Sequence, residues 1–394
     1  MQSSSSSDTS DDQTVNNGDI ERNTLADNSK HSYLAVFRRI PVPLHRERVG
    51  TQVLRTIAFL AIVLCIFQYF WIQHINNGLS RVSNGPFDVV FWKLNRQSPE
   101  IWDDERQAFI HDAIPVPVHS HNDYSRGIPL FEALGSGCIS VEADIHLRGS
   151  DLLVGHTSKG LKSDSNLRSM YLAPLQRMIQ LRNKGTYEEE WRGIFRSSPH
   201  QTVVLLVDVK TSGPETFAEL HAQLQPLRDL DFLTYWNGTE RIIRPLTVVA
   251  SGNAPFESIL ALDSAHRDIF WDAKLENLFT LNDDLDVDPP IYGFNQSNSY
   301  FASTRWTNAR LFVPPLNYTY PEGTKINAYM KDMALPHIEQ AKARGLISRF
   351  WDTPEGPPNL REIAWRVLIK LKTGILNMDD MGTVRARASG WGSL

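Results

Sequence analysis

The sequence has little cysteine and no excess of basic charge. It holds two cysteines in 394 residues, Cys65 and Cys138, so no disulfide framework is predicted and the redox state of its compartment stays open. The 40 lysines and arginines are outnumbered by 45 aspartates and glutamates, which gives a formal net charge of -5. Without an overall positive field, nucleic acid is not an expected partner. No internal repeat is visible.

The N-terminal region has few apolar side chains. Residues 1–30 are mostly Ser, Asp, Asn, Gln and Thr, including the run from Ser3 to Ser7. Such a composition cannot bury a hydrophobic core and is typical of a disordered segment. We therefore predict a disordered tail over residues 1–50.

A long apolar run follows this tail. Nearly every residue from Ile57 to Ile72 is apolar, and flanking apolar residues extend the run, so a transmembrane helix is predicted over residues 53–75. A buried helix of a soluble protein is the alternative. One arginine, Arg81, closely follows the run, and five closely precede it: Arg38, Arg39, Arg46, Arg48 and Arg55. This bias predicts a single-pass protein with a cytoplasmic N-terminus and a lumenal or extracellular remainder.

Three N-x-S/T triplets follow the apolar run, at Asn237, Asn295 and Asn317, and none precedes it. Such triplets are acceptors for N-glycosylation on surface loops of secreted domains. They also occur by chance, so their support for a lumenal or extracellular glycoprotein is slight.

The region 86–394 has the size and pattern of a (β/α)8 TIM-type barrel with insertions. Helical patterns over Glu215–Gln225 and Pro336–Arg344 alternate with short apolar runs, and we expect Pro226 and Gly345 to end these helices. The runs are typical of buried parallel strands: Val116–Val118, Ile139–Ile145, Val203–Val209, Leu246–Ala250, Ile269–Trp271, Ile347–Trp351 and Gly374–Asn377.

Polar side chains lie at the ends of four of these runs, where the catalytic groups of a barrel lie. Glu142 and Asp144 are two apart and so point to one face of a strand, where like charges repel unless a cation or a proton lies between them. Asp208 and Lys210 have the same spacing. The other two runs end in His119 and His121, and in Asn377, Asp379 and Asp380. The pattern favours a divalent ion with imidazoles nearby.

The order of these residues resembles a known family. HSHNDY at 119–124, SVEADI at 140–145 and LLVGH at 152–156 are similar to the fungal altered inheritance of mitochondria protein family. That family lies within the phospholipase-C-like phosphodiesterases, which include glycerophosphodiester phosphodiesterases. The His-Arg-Gly and Glu-Asn-Thr signatures of the glycerophosphodiesterase branch are missing, so the resemblance does not predict the head group of the substrate.

The resemblance implies a metal-dependent phosphodiester hydrolase with Mg2+ or Ca2+ as cofactor. It implies that His121 and His156 are the catalytic acid and base and that Lys210 contacts the substrate phosphate. By their positive charge, Arg126 and Arg148 are weaker candidates for the same contact. It also implies four metal ligands: Asn122, Glu142, Asp144 and Asp208. The membrane helix suggests a lipid-derived substrate.

Several alternatives stay open at this stage. His119-x-His121 also resembles the opening of the amidohydrolases, and an inactive, membrane-tethered binding scaffold is a further alternative. His119 is as compatible with a structural role as with a catalytic one, and we expect His146 at the surface and Asp123 in turn hydrogen bonds. The family name points to a mitochondrial membrane, although the flanking charges fit an endomembrane anchor equally well. The oligomeric state is open.

Overall fold

The structure is a computed structural model. It describes residues 44–79, 110, 113–184, 190–278, 293–307, 325–354, 356 and 358–387. The chain divides into two compact units, Met1–Val82 and Ser83–Leu394. Most of the predicted tail, residues 1–43, lies outside the described part.

The first unit contains a single long helix among its described residues, α1 (Leu44–Leu79). Its segment Gly50–Ile72 is long and apolar enough to cross a membrane by length and composition. The side chains of this segment are exposed, from Val53 and Leu54 to Trp71 and Ile72. Contact between so many apolar side chains and water is unfavourable, so a surface of this kind is expected to be buried against another apolar environment.

The second unit is a closed barrel of eight parallel strands. In ring order the strands pair β1–β2–β4–β7–β8–β9–β10–β11, and β11 pairs with β1 again. Strand β3 adds to β2 in antiparallel fashion, and β5 and β6 form a separate hairpin. The strands are β1 (Val116–Ser120), β2 (Cys138–Arg148), β3 (Asp151–Val154), β4 (Val203–Val209), β5 (Tyr235–Trp236), β6 (Arg241–Ile242), β7 (Leu246–Gly252), β8 (Ile269–Lys274), β9 (Ser299–Arg305), β10 (Ile347–Trp351) and β11 (Ile375–Met378).

Helices connect the strands, as in a (β/α)8 barrel. Short 3-10 turns cover Asp123–Ser125 and Leu275–Leu278, and a π turn covers Arg168–Leu172. The described helices are α2 (Phe131–Gly135), α3 (Ala173–Arg182), α4 (Gly213–Gln223), α5 (Gln225–Arg228), α6 (Phe256–Leu260), α7 (Lys325–Ala343), α8 (Pro358–Lys370) and α9 (Met381–Arg387). The predicted barrel is thus confirmed.

One strand of the barrel, β9, and two helix boundaries differ from the predictions, and the short strands β3, β5 and β6 were not predicted. The sequence pattern missed β9, because Ser299, Ser303 and Thr304 interrupt its apolar character. Pro336 does not begin a helix: it lies inside α7, which starts at Lys325. Pro226 falls in the first turn of α5 instead of ending α4, since proline is tolerated there. Gly345 does follow the end of α7, with a φ of 69° that glycine adopts without strain.

The interior of the barrel is layered. Side chains two apart on a strand point the same way, so Val204 and Leu206 of β4 precede Asp208 on the inward face. Phe270 of β8 precedes Asp272, and Ile375 of β11 precedes Asn377, in the same manner. Apolar residues therefore fill the lower barrel, and polar residues occupy the C-terminal ends of the strands.

Candidate active site

Three carboxylates meet at the C-terminal ends of β2 and β4. Asp144 of β2 pairs directly with Asp208 of β4 in the sheet register, and Glu142 lies two residues before Asp144 on the same face. One oxygen from each of the three side chains lies within 4.8 Å of the others. The structure thus brings together the acidic residues that the sequence places on separate strands.

Two oxygens of this cluster have no hydrogen-bond partner among the described residues. Asp144 Oδ1 and Asp208 Oδ1 are buried and accept no hydrogen bond from any described residue. Burial, together with the charge of Glu142, raises the pKa of Asp144 to about 6, and burial also raises the pKa of Asp208. Unpartnered carboxylate oxygens that crowd one another fit a hard divalent cation, which prefers oxygen ligands. The donor set therefore fits Mg2+ or Ca2+.

Lys210 neutralises part of this negative charge. Its Nζ lies 2.7 Å from Asp208 Oδ2 and 3.0 Å from Asp144 Oδ2. Although burial opposes the change, these two carboxylates raise the pKa of Lys210. The ammonium uses one oxygen of each aspartate and leaves the other oxygen of each free for an ion.

Glu142 is held in its ionised form. Its Oε2 accepts a hydrogen bond of 2.9 Å from the backbone nitrogen of Asn122 and lies 3.5 Å from His119 Nε2. Its Oε1 lies 3.8 Å from a guanidinium nitrogen of Arg349. Burial alone would raise the pKa of Glu142, but these neighbours hold it well below its usual range.

Asn122 and Tyr124 extend the cluster from the loop after β1. Asn122 adopts a left-handed backbone conformation with a φ of 48°, which asparagine tolerates better than most residues. The Tyr124 hydroxyl lies 2.5 Å from Asn122 Oδ1 and 2.8 Å from Asp144 Oδ2. Asp123 points away from the cluster and accepts hydrogen bonds from Ser120 and the Leu130 backbone, as expected for a residue that fixes the turn.

Two imidazoles line the cavity beside the carboxylates. His121 Nδ1 lies 3.2 Å from Asp379 Oδ1, and His156 Nδ1 lies 3.1 Å from Asp144 Oδ2. Burial would lower the pKa of His121, but the hydrogen bond to Asp379 and the charge of Glu142 raise it. The side chain of His156 is 67% exposed, so it is the more accessible of the two. A carboxylate therefore orients Nδ1 of each ring, while Nε2 of His121 lies 3.4 Å from Asn122 Nδ2 and 3.9 Å from Glu142 Oε2.

The other histidines in the described part of the barrel do not line this cavity. His119 is buried, with its Nδ1 2.7 Å from Ser140 Oγ, and burial lowers its pKa to about 4, so the ring is neutral at physiological pH. His146 is also buried, with Nε2 2.9 Å from the Gly155 carbonyl oxygen, which corrects the expectation of a surface residue. The cavity lining does not include the later histidines that an amidohydrolase would need: His200, His221, His266 and His337.

The two arginine candidates for the phosphate lie elsewhere. Arg126 donates a hydrogen bond of 2.8 Å to the His121 carbonyl oxygen and lies 3.6 Å from Asp379 Oδ1. It braces the loop after β1 and does not line the cavity. Arg148 is exposed and donates to the neighbouring Leu147 carbonyl oxygen. Lys210 is the predicted phosphate contact that the structure does place in the cavity.

Sequence reasoning missed a buried polar group on the opposite wall. Arg349 of β10 donates to Asn377 Oδ1 at 3.0 Å, to Asp272 Oδ2 at 3.2 Å and to Ser303 Oγ at 3.2 Å. Both Arg349 and Asp272 line the cavity. Side chains alternate between the two faces of a strand, so Arg349 shares a face with Ile347, and Asp272 shares a face with Phe270. This alternation could have predicted that both charges point into the barrel.

These groups surround a cavity of about 530 Å³ that opens at the C-terminal end of the barrel. Its outer wall carries the last residues of three strands, Lys274, Arg305 and Trp351, together with Trp271. The volume is in the range of small-molecule sites. The cavity combines anionic oxygens, two imidazoles and several cations.

Comparison with known proteins agrees with this geometry. A family model described as the AIM6-like phosphodiesterase domain matches residues 107–272. The altered inheritance of mitochondria protein 6 homolog of Arthroderma benhamiae is 33% identical over 282 residues, which cover 69% of this chain and 83% of that protein. The chain belongs to the altered inheritance of mitochondria protein 6 family. Another member, from Eremothecium gossypii, is 33% identical over 68% of each chain.

Two solved structures are also similar to this member of the family. One is a phosphatidylinositol-specific phospholipase C from Listeria monocytogenes, with a TM-score of 0.35 and 11% identity over 71% of this chain and 94% of that one. The other is a glycerophosphoryl diester phosphodiesterase from Parabacteroides distasonis, with a TM-score of 0.34 and 13% identity over 72% of this chain and 90% of that one.

Proposed function

We propose that this protein is a membrane-anchored, divalent-ion-dependent phosphodiester hydrolase in which His121 and His156 act as acid and base. The observation that carries the proposal is the cluster of Glu142, Asp144 and Asp208, whose oxygens lie within 4.8 Å of one another between two oriented imidazoles. The phosphodiesterase domain matched by the family model supports the same reaction class.

The ion would be held by these three carboxylates, with the Asn122 side chain as a further ligand. An ion bound there would supply positive charge that neutralises the negative charge developing on the phosphoryl oxygens. Lys210 keeps its own positive charge 3.0 Å from Asp144 and is our candidate for a contact with the phosphate.

The two imidazoles divide the proton transfers between them. One takes the proton of the attacking hydroxyl, which belongs to water or to the substrate, and the other protonates the leaving oxygen. Asp379 orients His121, and Asp144 orients His156, through Nδ1 of each ring. Glu142, kept ionised by Arg349 and His119, adds negative charge that favours a protonated His121.

The helix predicted over 53–75 would tether the barrel to a membrane, with residues 1–50 in the cytoplasm and the barrel, residues 86–394, in a lumen or outside the cell. The apolar, exposed surface of Gly50–Ile72 supports this arrangement. Such a tether favours a lipid-derived phosphodiester. A mitochondrial membrane agrees with the names of the relatives, and an endomembrane agrees with the arginine bias.

The test is hydrolysis of bis(p-nitrophenyl) phosphate by the purified protein with Mg2+, with Ca2+ and with a chelator. We expect His121→Ala and His156→Ala to reduce kcat by about 100- to 10,000-fold, the range for loss of a general acid or base. His200→Ala is the matched control, because His200 is exposed and lies outside the cavity.

Full activity in the chelator would contradict the ion-dependent mechanism. A folded wild-type protein that binds the ion but hydrolyses no phosphodiester would instead favour the inactive scaffold.

A further inference from the structure

His156 has an exposed side chain, so its orientation depends on the contacts of its ring. The side chain is 67% exposed and follows strand β3. In the described part of the chain, two groups approach its Nδ1: Asp144 Oδ2 at 3.1 Å and the Tyr124 hydroxyl at 3.2 Å. An acid or base transfers a proton only when it is correctly placed, so both contacts matter for the proposed role of His156.

Asp144 is a shared anchor for this ring. Besides His156, its Oδ2 lies 3.0 Å from Lys210 Nζ and 2.8 Å from the Tyr124 hydroxyl, so three polar groups crowd one oxygen. The two oxygens of a carboxylate offer about four lone-pair sites between them, which is about two for each oxygen. An ion bound at the cluster would draw on the same carboxylate. A second acceptor beside Asp144 would therefore fix the ring more firmly.

The Tyr124 hydroxyl is suited to be this second acceptor. Its single hydrogen has an acceptor on the other side, because Asn122 Oδ1 lies 2.5 Å away. A hydroxyl that donates to Asn122 keeps two lone pairs, and one of them can accept the hydrogen of His156 Nδ1. Tyr124 packs against the hydrophobic core of the barrel, so the position of its hydroxyl is set by packing.

We propose that Tyr124 is a positioning residue for His156. Its hydroxyl oxygen accepts the Nδ1 hydrogen of His156 together with Asp144, so the ring is held in one orientation and its lone pair lies on Nε2. This inference rests on the proposed function, in which His156 acts as acid or base. It assigns Tyr124 to the geometry of proton transfer and not to the binding of substrate or ion.

The experiment begins with Tyr124→Phe, which removes the hydroxyl and keeps the packed ring. With bis(p-nitrophenyl) phosphate and a saturating concentration of Mg2+ or Ca2+, we expect kcat to fall by about tenfold, as for the loss of one hydrogen bond. KM should change by less than about threefold. The Kd of the ion, measured by calorimetry, should also change by less than about threefold, because the three carboxylates are kept.

A double-mutant cycle tests whether this loss passes through His156. In the His156→Ala background, Tyr124→Phe should reduce kcat by less than about twofold, because the ring that it positions is gone. Tyr300→Phe is the matched control: Tyr300 is a buried tyrosine whose hydroxyl bonds to Thr247, and it does not line the cavity. This variant should leave kcat unchanged in both backgrounds. Thermal melting of all variants establishes that they are folded.

A second readout does not depend on hydrolysis. In protein with 15N-labelled histidine, the two ring nitrogens of His156 report which of them carries the hydrogen, and His156→Ala assigns their signals. At pH 8, with Mg2+ and without it, we expect the form with the hydrogen on Nδ1 to dominate in the wild type. Tyr124→Phe should show a larger share of the form with the hydrogen on Nε2.

The outcomes separate this inference from the proposed function. If the wild-type protein hydrolyses no phosphodiester but the 15N signals change as expected, the proposed function fails and the positioning role stands. Three results overturn the role: an unchanged kcat in Tyr124→Phe, an equal fall in the His156→Ala background, or unchanged 15N signals of His156. A loss of ion affinity as large as the loss of kcat overturns it as well, because Tyr124 would then act through the ion site.

Discussion

Nδ1 of His121 lies 3.2 Å from Oδ1 of Asp379, although 258 positions separate the two residues in the chain. The contact exists because the barrel closes between its first and last strands, where β1 and β11 pair in parallel with His119 opposite Asn377. Asp379 therefore belongs to the candidate site, as the group that orients His121.

Replacement of this partner should change how the activity depends on pH. In Asp379→Asn the ring loses a charged acceptor that raises the pKa of His121, so the limb of the pH profile that reports His121 should move to lower pH. The loss of orientation should also reduce kcat/KM by about tenfold or more. The measurement is kcat/KM between pH 5 and 9. Asp380→Asn is the control, because Asp380 contacts Thr383 instead, and it should leave the limb in place.

The stabilising effect of a divalent ion should depend on pH. Because burial and Glu142 raise the pKa of folded Asp144 from 3.8 to about 6, the ion-free protein should lose stability as pH rises through this interval. Binding requires the ionised form, so the ion should stabilise the fold by about 2.7 kcal/mol at 100 times its Kd near pH 7.5, and by less at pH 5. Thermal melting with Mg2+, Ca2+ or a chelator measures both values, and equal shifts at the two pH values would count against an ion site at Asp144.

Lys210 should matter most when no ion is bound. Lys210→Met leaves Asp144 and Asp208 without their shared cation, so it should cost about 1.5–3 kcal/mol of unfolding free energy in the chelator and less with the ion present. Denaturant melts in the two conditions measure the difference. Lys274→Met is the control for loss of a lysine at the same cavity, since Lys274 is exposed and forms no ion pair with a described residue. An equal cost in both conditions would contradict the idea that the ion and Lys210 serve the same carboxylates.

Gly252 should be required for the position of Asp208. A Cβ at Gly252 would overlap Asp208 Oδ1, so Gly252→Ala should displace this carboxylate and remove most of the ion-dependent rise in Tm. Gly149 is a matched control, because its φ of 61° resembles the 66° of Gly252 but a Cβ there meets no atom within 4 Å. Both substitutions carry the strain of a left-handed residue, about 1 kcal/mol. An undiminished ion effect in Gly252→Ala would contradict this role.

The proposed topology predicts glycosylation of the barrel. Asn237 and Asn295 are exposed, whereas Asn317 lies outside the described residues. If the barrel lies in the secretory lumen, an endoglycosidase should increase the gel mobility of the wild-type protein, and Asn237→Gln and Asn295→Gln should each remove part of that shift. Asn253→Gln, which alters no N-x-S/T triplet, is the control. A protein without any glycosidase-sensitive shift would favour a mitochondrial location over the endomembrane.

Local sequence patterns predicted much of the fold but not its boundaries. Runs of β-branched residues such as Val203–Val209 are strands because their side chains are buried on both faces. The sequence pattern does not predict strand β9, because its small polar residues pack inside the barrel only when the neighbouring strands are present. The pattern predicts that a helix begins at Pro336. This residue instead lies within α7, because tertiary packing outweighs the local preference of proline.

The sequence by itself determined which residues share a strand end: Glu142 with Asp144, and Asp208 with Lys210, because side chains two apart point the same way. Only the tertiary structure decided which strand ends meet. Barrel closure brings Asp379 to His121, and it places Arg349, which is paired with Asp272, 3.8 Å from Glu142. It also brings Asp379 to within 3.6 Å of Arg126. Contacts between residues so far apart in the chain follow from strand order and register, which a local pattern of side chains does not contain.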